Sequence, residues 1–263
     1  MRILLTNDDG IDAPGLKVLE TLAHELAGED GEVWVVAPSS EKSGTGHCVS
    51  FSKTFEIVKV GSRKYKLEGY PADCVLAGLY RIMDQTPDLV LVGVNRGNNS
   101  GENAMYSGTI GAAIEGALQG IKSIALSQYM GMANKNLNNP FDATVEHGLT
   151  LVKQLYYNAP WDNKNYRLFF NVNFPPCSAH EVRGVKVVRQ GQRENSRFSA
   201  RYVDSTTNGE LLSIQGGLQT SRSSEGTDIN ANLDHYISIT PMRADLTDNE
   251  LLGKIDIGWS IKG

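Results

Sequence analysis

Short apolar runs recur along the chain at residues 3–5, 33–37, 89–93 and 124–126, and several of the stretches between them carry helical periodicity. No other feature constrains the fold as much, because parallel strands can be joined only by a crossover long enough to hold a helix. The alternation predicts βαβ units and a mostly parallel sheet. Leu16, Leu19, Leu22 and Leu26 mark one face of a first helix that opens at Pro14, where the missing proline N–H costs nothing. Pro71 opens a second helix with Val75, Leu79, Ile82 and Met83 facing inward. A third follows Ser107, with Ile110, Ile114, Ala117 and Leu118 as its stripe, and a fourth uses Val145, Leu149, Val152 and Tyr156.

Two segments break this rhythm. Residues 55–60 and 63–68 flank Gly61-Ser62, a turn suited to a hairpin, and predict a small antiparallel excursion out of the sheet. Beyond Gly191 the chain turns rich in Ser, Asn, Gly and Arg, and Asn208-Gly209 lies between residues 201–203 and 211–214. That pattern predicts a projecting hairpin arm over about 191–233, which needs a partner because a two-stranded ribbon has no core of its own. Residues 235–242 read as a strand returning to the body. The expected architecture is α/β, a Rossmann-like three-layer sandwich, with a core over 1–190 and a C-terminal extension over 191–263.

Charge and composition narrow the partners. The chain has 263 residues and a formal net charge of −5 with the charges interspersed, so it carries no basic footprint for nucleic acid or an anionic membrane surface. Its first residues lack the charged start and long apolar stretch of a secretory signal, and no run approaches about 18 apolar residues, which predicts a cytosolic protein. Cys48, Cys74 and Cys177 show no C-x-x-C spacing and read as ordinary buried or half-buried thiols. The five histidines are scattered and give no local metal motif.

The chemistry concentrates where apolar runs end. Asp8 and Asp9 follow the first run and precede Gly10. Neighbouring side chains in a strand point to opposite faces, so both carboxylates reach one ion only if the backbone is already turning, as Asn7 and Gly10 permit. Two hard oxygen ligands at the carboxyl edge of an open sheet suit Mg²⁺ or Mn²⁺. A cap on the next helix and a solvated neighbour would account for the dipeptide equally well. Asn95 follows the run 89–93 and should lie at the same edge, so three oxygen-bearing side chains could converge. Ser107-Gly108-Thr109 opens a helix and can offer amides and hydroxyls to a phosphate, although Ser107 is equally suited to be a plain N-cap. The loop at 38–47 is neither a P-loop nor a dinucleotide fingerprint, but its hydroxyls, glycines and Lys42 could close over a phosphoryl group.

Taken together these blocks resemble the SurE family (survival protein E), metal-dependent 5′- and 3′-nucleotidases. The likeness runs in order through residues 1–10, Ala13-Pro14-Gly15, 35–38, Ser43-Gly44, 69–75, 95–99, 106–113, 171–175, Thr227-Asp228 and 238–241. The resemblance implies one divalent ion, Mg²⁺ or Mn²⁺, held by Asp8, Asp9, Ser43 and Asn95, with Asn99 and Ser107-Gly108-Thr109 on the phosphate. It implies nucleoside monophosphates as substrates, with short polyphosphate as a further one, and a homodimer or homotetramer built through the C-terminal arm. Two positions depart from the family pattern. Ser39-Ser40 stand where Asp-Arg is usual, and Val92 stands where serine is frequent.

The expected reaction is metal-assisted hydrolysis without a covalent phosphoenzyme. Asp8 or Asp9 would accept a proton from the attacking water, and Lys42 and the amides at 107–109 would offset charge on the phosphoryl group. A phosphorelay receiver module also pairs acids after its first strand, but it needs a phosphorylatable Asp at its third strand and a late Lys, which have no obvious counterpart here. A dinucleotide-dependent oxidoreductase would need G-x-G-x-x-G where this chain carries two acids.

Overall fold

The computed structural model of the chain describes residues 1–162 and 167–255. In chain order the elements are β1 (Arg2–Thr6), α1 (Pro14–Ala27), β2 (Glu32–Pro38), β3 (Ile57–Gly61), β4 (Lys64–Leu67), α2 (Pro71–Ala77), β5 (Leu89–Arg96), α3 (Gly108–Leu118) and β6 (Lys122–Gln128). They continue with α4 (Asp142–Asn158), β7 (Phe169–Phe174), β8 (Gly184–Val187), β9 (Ser199–Thr206), β10 (Gly209–Gln215), α5 (Asp228–Leu233) and β11 (Tyr236–Met242). Nine strands form one sheet in the order β3-β4-β2-β1-β5-β6-β7-β11-β8. From β4 to β7 every neighbouring pair is parallel, as the alternation predicts. β11 returns antiparallel to β7, and β8 pairs in parallel with β11.

Successive residues of the central strands serve opposite faces. Ile3, Leu5, Leu89 and Leu91 pack with Leu16 and Leu19 of α1 and Val152 and Leu155 of α4. Leu4, Val90 and Val92 pack with Val75 of α2 and Ile110 and Ala113 of α3. Helices on both faces of a parallel sheet give the Rossmann-like three-layer sandwich. α1 begins at Pro14 and buries the predicted leucines, and α2 begins at Pro71 and runs into a π-helical turn, Gly78–Ile82.

Several expectations need correction. Leu118 is exposed at the end of α3, and Val145 is exposed on α4. The buried stripe of α4 runs through Thr144, Gly148, Leu151, Val152 and Leu155, because Gly148 lets α4 close on α1, where an added Cβ would sit 2.9 Å from Leu22 Cδ1. The hairpin β3–β4 does not leave the sheet: β4 adds in parallel beside β2 and β3 caps the edge. The segment 191–233 divides into two parts. β9 and β10 form a separate antiparallel ribbon, joined by Thr207-Asn208, with Gly209 already paired to Thr206. Residues 189–194 and 219–233 instead lie against the body: Gly191 and Gly101 both donate to Asp228, and Arg193 donates to Glu102. Among the described residues no helix is long and apolar enough to cross a membrane, and all three cysteines are free thiols.

Candidate active site

β1 has β2 on one side and β5 on the other, so the chain reverses its direction of sheet growth between β1 and β5. Ligands of open α/β sheets bind in the crevice at such a switch point, beyond the carboxyl ends of the strands. Asp8 and Asp9 follow β1 and Asn95 ends β5, so the topology places all three at this crevice. The backbone leaves β1 in a turn in which Asn7 Nδ2 donates to the Gly10 carbonyl at 2.8 Å and Gly10 adopts φ +102°.

The turn sends the two carboxylates to different partners. Asp8 is buried, accepting the Thr109 hydroxyl on Oδ1 at 2.6 Å and the Thr109 N–H on Oδ2 at 3.2 Å. Asp9 Oδ2 accepts the Arg96 N–H at 3.0 Å. Asp8 thus fastens β1 to α3, while Asp9 fastens it to the end of β5. Burial pushes the Asp8 carboxyl from 3.8 up to about 6; the Thr109 hydroxyl opposes the shift and the Asp9 charge adds to it. Burial also raises Asp9, against the Arg96 N–H and with help from the Glu41 charge. Adjacent acids held this far from water favour a cation between them.

The remaining candidates surround this pair. The Lys42 N–H donates to the Asp8 carbonyl at 2.7 Å, which lays the 38–47 loop across the crevice. Further along, Gly46 donates to the Tyr106 carbonyl at 2.9 Å and His47 Nε2 meets Glu115 Oε2 of α3 at 2.7 Å. The Ser43 hydroxyl donates to Glu41 Oε1 at 2.8 Å, keeping its lone pairs. Asn95 Nδ2 donates to the Gly97 carbonyl at 3.0 Å, which leaves the amide oxygen as its free ligand atom. Among the described residues no three His, Cys, Asp or Glu side chains converge on a metal position. An ion here would complete its shell with the neutral oxygens of Asn95, Ser43 and water, a donor set that fits Mg²⁺ or Mn²⁺ and not a thiolate or imidazole metal.

The start of α3 is more crowded than its sequence suggests. Ser107 Oγ caps the helix, accepting from the Ile110 N–H at 3.1 Å, while both donors of Thr109 are directed at Asp8. The anion at this helix terminus is therefore the Asp8 carboxylate itself. Gly108 is the point of closest approach: a Cβ there would sit 2.9 Å from Asp8 Cβ and 3.1 Å from Pro71 Cγ. Asn99 is turned inward, its Nδ2 donating to Ser127 Oγ at 2.7 Å and its N–H to Asn173 Oδ1 at 2.7 Å. The second N–H of its Nδ2 remains to bind a phosphate while the Ser127 bond is kept.

The residues that support the site lie in blocks of the family resemblance, 171–175 and Thr227-Asp228, to which sequence reasoning gave no role. Asn171 and Asn173 hold Asn99 from below, with Asn171 Nδ2 donating to the Asn99 carbonyl at 2.8 Å. Asp228 takes the Gly101 N–H at 2.9 Å. Their signal was available in part, since two asparagines spaced by two on an otherwise apolar strand share one face and must find partners there.

Comparison with known proteins establishes the family. The family described as Survival protein SurE matches residues 3–197. A protein of Ruegeria pomeroyi named 5′-nucleotidase SurE is 55% identical over 253 residues, covering 96% of this chain and 97% of its own length. A protein of the same name from Roseobacter denitrificans is 52% identical over 256 residues, covering 97% and 98%. The crystal structure of the SurE protein from Aquifex aeolicus superposes with a TM-score of 0.77 at 34% identity, over 97% of this chain and 98% of that one. With a family model, relatives more than half identical and a matching fold over nearly its whole length, this chain belongs to the SurE family.

Proposed function

We infer that this chain is a 5′-nucleotidase that hydrolyses nucleoside monophosphates to nucleoside and phosphate. Two relatives more than half identical to it over nearly their full length bear that name. The observation in the chain itself that carries the reading is the pair of adjacent acids at the switch point, buried Asp8 fastened to the start of α3 and half-buried Asp9 to the end of β5. The receiver and oxidoreductase readings find no support beside it.

Asp8, Asp9, Asn95 and Ser43 would hold one divalent ion. When bound, such an ion neutralises phosphoryl charge and acidifies a water. Asp9, the more exposed of the two acids, is the better placed to accept that water's proton, because Asp8 is already engaged by Thr109. Ser107 and the α3 N-terminal amides that Asp8 does not take would face the phosphate, with Asn99 offering its second Nδ2 hydrogen, and the Lys42 side chain would offset charge from the overlying loop. Hydrolysis of 3′-monophosphates and of short polyphosphate belongs to the same reading, as the crevice chemistry selects a terminal phosphoryl group. The exposed β9–β10 ribbon is the proposed contact of a homodimer or homotetramer. The enzymatic core is proposed to include residues 189–196 and 218–242, with the arm restricted to about 197–217.

Phosphate release measured across 5′- and 3′-nucleoside monophosphates with Mg²⁺ and Mn²⁺ tests the reading. Turnover of 5′-monophosphates that is abolished by excess EDTA and restored by added ion is expected. Equal turnover in EDTA would remove the metal, and no release from any nucleotide would remove the function.

A further inference from the structure

The loop that follows Asn95 at the end of β5 and carries Asn99 is held from outside by one buried arginine. Arg193 lies just before the projecting ribbon and its side chain is wholly shielded from solvent. Its guanidinium spends every donor. Nε donates to the Gln219 carbonyl at 3.1 Å, Nη1 to the Ser100 carbonyl at 3.2 Å and to Glu102 Oε1 at 3.0 Å, and Nη2 to Asn98 Oδ1 at 2.7 Å and Ser100 Oγ at 3.3 Å. The Arg193 N–H adds a bond to Glu102 Oε2 at 3.0 Å. Gln219, on the chain leaving the ribbon, accepts from Asn98 Nδ2 at 3.1 Å and Asn103 Nδ2 at 2.7 Å. Both feet of the β9–β10 ribbon therefore stand on residues 98–103.

We propose that Arg193 is a positioning residue that fixes the active-site loop and couples it to the base of the arm. A buried guanidinium is tolerated only where its charge is paired and its donors are satisfied, and here the partners come from the loop and from the arm's return strand. From below, Asn171 and Asn173 grip the Asn99 backbone, so the loop is clamped between β7 and Arg193. Lysine keeps the charge but lacks the planar fork that reaches Asn98, Ser100 and Glu102 together. The inference rests on the reading of Asn95 and Asn99 as metal and phosphate ligands, since that is what makes the loop's position matter to turnover.

The test compares wild type with Arg193→Lys by amide hydrogen exchange on the metal-free chain and by phosphate release against metal concentration. The expected result is roughly tenfold faster exchange over residues 97–103 with α3 unchanged, a half-activating metal concentration raised about tenfold, and kcat lowered several-fold at saturating ion. Wild-type exchange in the variant would overturn the proposal, as would faster exchange with unaltered metal dependence and kcat. If Arg193→Lys does not fold, Glu102→Gln keeps the side-chain volume, removes the ion pair and is expected to give a smaller change of the same kind, about threefold; unchanged exchange there overturns the proposal too. Absence of phosphate release by wild type would strike the nucleotidase reading alone, because exchange in the metal-free chain still reports the grip of Arg193.

Discussion

The crevice around Asp8 and the β9–β10 ribbon are built on opposite rules. In the crevice several key polar groups are claimed by the same chain: Asp8 by Thr109, Asp9 by Arg96, Asn99 by Ser127 and Asn173. In the ribbon every residue of both strands is exposed, and Tyr202, Val203, Leu211, Leu212 and Ile214 present apolar surface that nothing in the body covers. A segment whose contacts are internal can be understood from one copy of the chain. One that spends large apolar side chains on solvent calls for a partner, and the partner proposed above is a second copy.

The largest effect is expected from Asp8→Asn, which should separate activity from stability. If a cation's charge supplies several kcal/mol of transition-state stabilisation, losing one carboxylate should lower turnover by about 10²-fold or more. Stability of the metal-free chain should move the other way. The folded-state value near 6 lies above 3.8, so the folded chain binds this proton more tightly than the unfolded one. The stabilisation is complete below pH ~4 and lost as pH rises through about 6, a difference of roughly 3 kcal/mol by linkage. Asparagine bears no such charge and can keep an oxygen for the Thr109 N–H. Metal-free Asp8→Asn should therefore melt above wild type at pH 7.5 and lose that advantage at pH 4. A variant that melts lower at both values would mean that burial of the charge does not set the balance.

Next comes Gly108→Val. The sequence suggests that a side chain here crowds only the phosphate, whereas the packing directs it into Asp8 and Pro71. Turnover should fall by about 10- to 10²-fold and the melting temperature should drop with it, since overpacking a tight contact costs about 1–3 kcal/mol. Weakened phosphate inhibition with an unchanged melting temperature would restore the simpler cradle and loosen the link between α3 and β1.

This contrast also marks what the sequence could reveal. The mostly parallel sheet, the helix starts at Pro14 and Pro71, and the placing of Asp8, Asp9 and Asn95 at one sheet edge follow from local periodicity and from strands ending in chemistry-bearing turns, whereas the strand order does not. The supports of the site were hidden because they are contacts across 70 residues or more: Asn173 to Asn99, Arg193 to Asn98, Asp228 to Gly101. A polar stretch such as 189–194 looks like loop until its partners are known. In α4 Leu149, Val152 and Tyr156 face the core as their spacing suggests, but Val145 does not, and Gly148 carries no hydrophobic signal although it lies against Leu22.

Excising β9 and β10 should change assembly and leave chemistry nearly intact. Ser199 and Gln215 are paired across the ribbon, so a short flexible linker can bridge them without moving Arg193 or Gln219. Light scattering should show a smaller particle, with turnover within about threefold of the parent because no active-site contact is removed. Removing all of 191–233 is a different experiment, since it takes Arg193 and Asp228 with it and should abolish activity. An excised protein with the parent's mass per particle would show that assembly uses another surface.

The smallest effect is expected at Gly209, the ribbon's counterpart to Gly108. A Cβ at Gly209 meets nothing within 4 Å. In a single copy, Gly209→Ala should shift stability by no more than about 0.5 kcal/mol, and restricting the unfolded chain could even tip the sign toward stabilisation. Turnover should not change. The comparison sharpens when melting is followed against protein concentration, because an interface couples stability to mass action. If Gly209→Ala leaves the melting temperature untouched in dilute protein but lowers it in concentrated protein, the open space around Gly209 is filled by another subunit in the assembly. If it lowers the melting temperature equally at all concentrations, the ribbon packs on its own chain and the contrast between the two regions fails.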